Sequence, residues 1–201
     1  MALEFNSIDS LMSNLNRRGF QTLDRFYVVF TNIPQALNMA IRNNGFLRRD
    51  FTETVALRTS SASVPEQNIR TSTITNVNGV DYEHPYQYDL SNSVDLTILN
   101  DRFDRLRSTF ADWLRLSSGI STIGAIPYRN QIAADLTIVS LDKEGNALSG
   151  YEMKDCICKN VQGTQYSQQN KDALLEFNIK LSPSFMRKLN SFEASIVYAS
   201  R

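Results

Sequence analysis

Apolar positions alternate with a period of two along most of the chain. Val94, Leu96 and Ile98 interleave with polar residues, as do Leu175, Phe177, Ile179 and Leu181, which predicts strands with one buried face. Phe26 to Thr31 is a β-rich run with Pro34 just beyond it. Ile69 to Tyr88 alternates β-branched and polar residues about Asn78 and Gly79, a hairpin turn. Glu53 to Thr59 also reads as extended. Two further strands between Gln131 and Val161 flank a tight turn at Asp142 to Asn146, with Leu136, Ile138 and Leu141 assigned to one face.

The period changes to that of a helix in three places. Asn100 and Asp101 are natural caps, and Phe103, Leu106, Phe110, Trp113 and Leu114 then form one stripe, which predicts a helix from Asp101 to Ser117. Asp101 with Arg105, and Asp112 with Arg115, can pair along its exposed side. Pro34 to Asp50 carries Leu37, Met39, Ala40 and Ile41 before Asn44 and Gly45, a short helical insertion. Residues 1–23 form an N-terminal arm, with Ser7 as cap and Ile8, Leu11, Met12 and Leu15 at helical spacing. The sum is about seven strands in hairpins and one principal helix, an α+β fold that is mainly antiparallel β. Its main domain is 24–182, followed by a tail, 183–201.

Composition narrows the function. The chain has 201 residues, with Lys plus Arg (21) equal to Asp plus Glu (21), so no bulk positive charge attracts nucleic acid or anionic lipid. No apolar run reaches the length of a membrane span, and Met1 to Phe20 is unlike a signal peptide, so a soluble protein made in the cytoplasm is expected. Cys156 and Cys158 share one face of a strand, where a disulfide between them would be strained. With His84 the only histidine and no second cysteine pair, no zinc ligand set is present.

Catalytic chemistry is equally absent. No serine elbow accompanies His84, the glycines build no phosphate-cradling loop, and Asp142 and Glu144 sit on a turn. Neither a catalytic residue nor a cofactor is expected. The long hairpin from Ile69 to Tyr88 instead offers strands for pairing with another subunit.

In order, "RFYVVF", "SASVPEQNI", "VDLTILNDRFDRLRSTFADWLR", "YRNQIAADLTIVSLDKEGNALSGYEMKDC" and "LLEFNIKLS" resemble the tail tube proteins of contractile-tailed bacteriophages. Those proteins share a fold with the tube proteins of type VI secretion and contractile injection systems. The resemblance covers roughly Asp24 to Ser182.

It implies a barrel or sandwich-like subunit with one main helix packed on the outside. Six subunits would form a ring, and rings would stack into a tube that conducts DNA within a sheath, above a baseplate. The place implied is the virion tail, assembled in the host cytoplasm. A neutral chain suits such a conduit, because each cationic contact with passing DNA would slow it.

The segments expected to make subunit contacts are four. They are Ile8, Leu11 and Leu15 of the arm; Asn76, Val77, Asn78, Gly79, Val80, Asp81 and Tyr82 at the first hairpin tip; Ser118 and Gly119 in the loop to Pro127; and Asp142, Lys143, Glu144, Gly145 and Asn146 at the second tip. The arm, the insertion and the tail depart from the compact family pattern. They leave open a baseplate tube initiator and, from a different class, a monomeric β-barrel binding module using Tyr82, Tyr86 and Tyr88.

Overall fold

The computed structural model of the chain describes residues 25–75, 79, 81–91, 93–119, 127–163 and 175–199. Nine strands carry the fold: β1 (Phe26–Asn32), β2 (Thr59–Ala62), β3 (Glu66–Thr75), β4 (Asp81–Ser91), β5 (Val94–Leu99), β6 (Ala134–Leu141), β7 (Ala147–Val161), β8 (Glu176–Ser182) and β9 (Phe185–Leu189). The helices are α1 (Gln35–Asn43), α2 (Arg48–Arg58), α3 (Arg105–Ser117), the single turn α4 (Arg129–Ile132) and α5 (Ser191–Ala199).

Seven strands form one antiparallel sheet in the order β1-β6-β7-β8-β5-β2, with β9 also on β7. The fifteen-residue β7 links its two halves. Its early residues pair with β6, and along its other edge β9 and β8 follow one another in the same register, Gly150 opposite Leu189 through Cys158 opposite Leu181. Pro183 interrupts that edge without ending it, since the Ser184 N–H still reaches the Lys154 carbonyl at 3.0 Å.

The sheet is open, which corrects the expectation of a barrel. β1 and β2 end the strand order and, among the described residues, do not pair with each other, and the space a small barrel would close over is filled by helices. Val28, Phe30, Leu136, Ile138 and Met153 from one half meet Val94, Leu96, Ile98, Phe177, Ile179 and Leu181 from the other in a single core with α1, α2 and α3. Both cysteines are buried there and unbridged. The burial alternates as the period of two requires on β5 and β8.

Leu141 falls out of phase with Leu136 and Ile138. It packs instead beside Val139, Leu189 and Ala194 in a second, smaller cluster where α5 covers the opposite face of the sheet.

Two helical expectations need correction. Glu53 to Arg58 is not extended, and only Thr59 is, as the first residue of β2: α2 runs through Arg58 because Phe51 and Val55, one turn apart, are fully buried in the core. That packing overrides the weak helix propensity of its threonines, whose hydroxyls are absorbed locally, Thr52 by the Arg48 carbonyl and Thr54 by the Asp50 carbonyl. The helical insertion is therefore two helices.

The second correction concerns α3, which begins at Arg105 rather than Asp101. Asp104 takes a left-handed conformation (φ 56°) that Asp tolerates, and it is held by the Asn100 amide. The Asp101 carboxylate accepts from the Leu106 N–H at 3.2 Å and from Arg105 Nε at 3.1 Å, capping the helix from outside it. Phe103 falls on this turn, 70% exposed, and not in the core stripe. Leu106, Phe110 and Trp113 are fully buried as expected, whereas Leu114 is half-buried.

Candidate assembly surface

β3 and β4 form a two-stranded sheet of their own, and among the described residues no ladder joins it to the seven-stranded sheet. Their ten registered pairs run from Glu66 opposite Ser91 to Thr75 opposite Asp81. Every residue of β3 is exposed, as are Asp81 to Gln87 of β4, including Ile69, Ile74, Tyr82 and Tyr86. Near the tip the Thr75 hydroxyl donates to Asp81 at 2.6 Å, and Gly79 has a φ of 75° that suits glycine. A lone two-stranded hairpin is marginally stable in water, so so long a ladder needs a neighbour.

β1 offers a second surface. The Leu141 N–H bonds the Arg25 carbonyl, and the register continues from there, so the backbone groups of Phe26, Val28 and Phe30 point away from β6 toward the unpaired edge. A groove of about 420 Å³ runs beside this edge, between Tyr27, Val29, Phe30 and Thr31 of β1 and Arg48, Arg49, Thr52 and Glu53 of α2. The sequence does not reveal it, because Glu53 to Thr59, which holds the second half of α2, reads there as extended.

The second predicted tip is a built turn. Asp142 accepts from the backbone N–H groups of Glu144 and Asn146 at 2.9 and 2.7 Å and from the Asn146 amide at 3.1 Å, while Gly145 has a φ of 87°. Hydrogen bonds from Asn146 hold the Asp142 carboxyl below its usual range. Lys143, Glu144 and Asn146 face solvent, and Arg25 donates to the Lys143 carbonyl at 2.5 Å.

Ser118 and Gly119 end α3: the Ser118 N–H reaches the Leu114 carbonyl at 3.0 Å, and Gly119 follows with a φ of 73°. Ser118 is exposed and Gly119 buried. Of the remaining expected contact residues, Ile8, Leu11, Leu15, Asn76, Val77, Asn78 and Val80 lie outside the described residues, as does the loop 120–126. The described candidates fall in three separate segments: Gly79 with the start of β4, the end of α3, and the turn between β6 and β7.

None of these surfaces carries reactive chemistry. Among the described residues no group of three His, Cys, Asp or Glu side chains is placed to hold a metal. Burial pushes both cysteine thiols up to about 12, and His84 lies exposed on β4. No described helix is long and apolar enough to cross a membrane.

What the fold offers is edges and exposed strands, and known proteins with this fold can be compared on that footing. A chain of the sheath-tube complex of an extracellular contractile injection system, PVC, in the extended state is similar at a TM-score of 0.53 and 14% identity, over 89% of this chain and 97% of that one. A chain of the anti-feeding prophage cap, the AFP tube terminating cap, gives 0.56 and 14%, over 94% and 99%. One from the anti-feeding prophage baseplate gives 0.53 and 13%, over 86% and 97%. At these identities the fold is what is shared. No curated protein matches the chain. The family described as phage tail tube protein, one of structural proteins rather than enzymes, matches residues 22–184. That span holds both edge strands of the sheet, the β3–β4 hairpin and α3, and the chain belongs to the phage tail tube protein family.

Proposed function

We propose that this chain is the repeating subunit of a contractile tail tube, assembling into hexameric rings that stack into a conduit for DNA. The observation that carries this reading is the β3–β4 hairpin, ten pairs long and outside the main sheet. Its strands gain a partner when a neighbouring copy supplies one. The unpaired edge of β1 is a complementary acceptor, and joining edges between copies removes the hazard of leaving them open. A sheath around the tube and a baseplate below it are the other partners, and the virion tail is the place, following assembly in the host cytoplasm.

The test is negative-stain electron microscopy of the purified protein over a concentration series, with mass from light scattering. Hollow tubes with six-fold end views are the expected result. One or two rings that stop growing would make the chain a baseplate initiator. A monomer at every concentration, even with a preformed baseplate or ring added as template, would leave a binding module that uses Tyr82 and Tyr86.

A further inference from the structure

α5 presents two faces. Ala194 is fully buried against Val139 and Leu189, with Val197 beside them, and Tyr198 meets Tyr27 edge to face at 5.4 Å between ring centroids. On the outer side Phe192 and Ile196, one turn apart, are 72% and 54% exposed. Phe185 of β9, also half exposed, lies on the same side of the sheet, two residues before Arg187. Arg187 pairs with Glu152 and, at 3.1 Å, with Glu193 of α5, which fixes the helix start against the strand. A short helix with apolar residues on both sides is covered on one side only.

The chain itself holds a segment long enough to reach this face. Its first described residue, Arg25, precedes Tyr27 by two positions, and the Tyr27–Tyr198 contact brings this point to the end of α5. Ahead of it lie residues 1–24, with Ile8, Leu11, Met12 and Leu15 at helical spacing. Residues 16–24 can span up to about 30 Å, while nine-residue α5 is about 13 Å long. The stripe thus reaches any point of that helix.

We propose that the N-terminal arm seats Ile8, Leu11 and Leu15 on the outer face of α5, against Phe192 and Ile196 of its own chain. The arm then shields an apolar helix in the free subunit. This docking belongs to the single chain and stands or falls apart from tube formation.

Thiol cross-linking in the full-length chain tests it. Ser13→Cys is combined with Ser195→Cys on α5, or with Leu57→Cys, which is 81% exposed on α2. Both positions leave the apolar contacts intact, and the native cysteines are buried, with thiols pushed up to about 12. A short bis-maleimide should close the α5 pair within one chain, independently of protein concentration, at about tenfold the yield of the Leu57 pair, because docking raises the effective concentration. Adding Leu11→Asp and Leu15→Asp should abolish that excess. Equal yields at both sites, or an excess that survives the aspartates, would overturn the proposal. So would a product joining two chains and growing with concentration, which would give the face to a second copy.

Discussion

Trp113 donates its indole N–H to the carbonyl of Ile132 across 2.9 Å inside the core, tying α3 to α4 and hence to the start of β6. The same ring meets Phe30 of β1 edge-on at 6.4 Å. Trp113→Ala should destabilise the subunit by about 3–5 kcal/mol. Trp113→Phe should still cost about 1–3 kcal/mol, since the buried Ile132 carbonyl loses its donor. Urea unfolding of the unassembled subunit measures both.

Ile69→Asp combined with Ile74→Asp should leave subunit stability within about 0.5 kcal/mol, because both side chains are exposed on the β3–β4 hairpin. Tube formation should be lost. Unfolding midpoints and micrographs of the same preparation separate the two effects.

The Asp101 carboxyl is desolvated, which alone would raise its pKa, but the Leu106 N–H and Arg105 hydrogen bonds outweigh this and hold it below its ordinary 3.8. A folded pKa lowered in this way makes the unfolded chain bind the proton first. The contribution is therefore complete above the unfolded value and lost as pH falls through the folded one. Asp101→Asn should lower the urea midpoint at about pH 7, and the deficit should shrink as pH falls below the carboxyl's ordinary range, as unfolding curves across that range will show.

Cys156 and Cys158, buried with thiols pushed up to about 12, should resist a colorimetric disulfide reagent in the native protein. Both should react at once on unfolding. Thiol counts before and after adding denaturant give the answer.

A Cβ on Gly150 would come within 2.8 Å of the Ile138 carbonyl, a backbone atom that cannot swing aside. Gly150→Ala should cost about 1–3 kcal/mol by prising β7 from β6. Gly163, with open space around it, should accept alanine without measurable loss in the same assay.

The alternating strands β5 and β8 were legible because each has a single buried face, and so was the core of α3, because Leu106, Phe110 and Trp113 keep one helical phase. α2 was not. Its Thr and Val residues favour strands locally, and only the distant Phe30 and Phe110 rings around Phe51 decide for a helix. Phe103 misled for a related reason: it keeps the spacing of the stripe, yet Asp104 breaks the backbone one residue later. Phe103 is held outside under Arg102 and Arg105, with the two guanidinium carbons 5.9 and 5.5 Å from its ring. Of the candidate surface, the hairpin could be read from its turn and alternation, whereas the groove beside β1 exists only once α2 is helical.

The continuity of β7 has a mechanical consequence. One strand carries the β6 ladder on one edge and β9 and β8 on the other, so the two halves of the sheet are joined through the continuous backbone of β7, and neither comes away from it without breaking a ladder. Load applied along β7 is shared by ladders on both of its edges, and the subunit should yield under force as one body instead of shedding its C-terminal portion first.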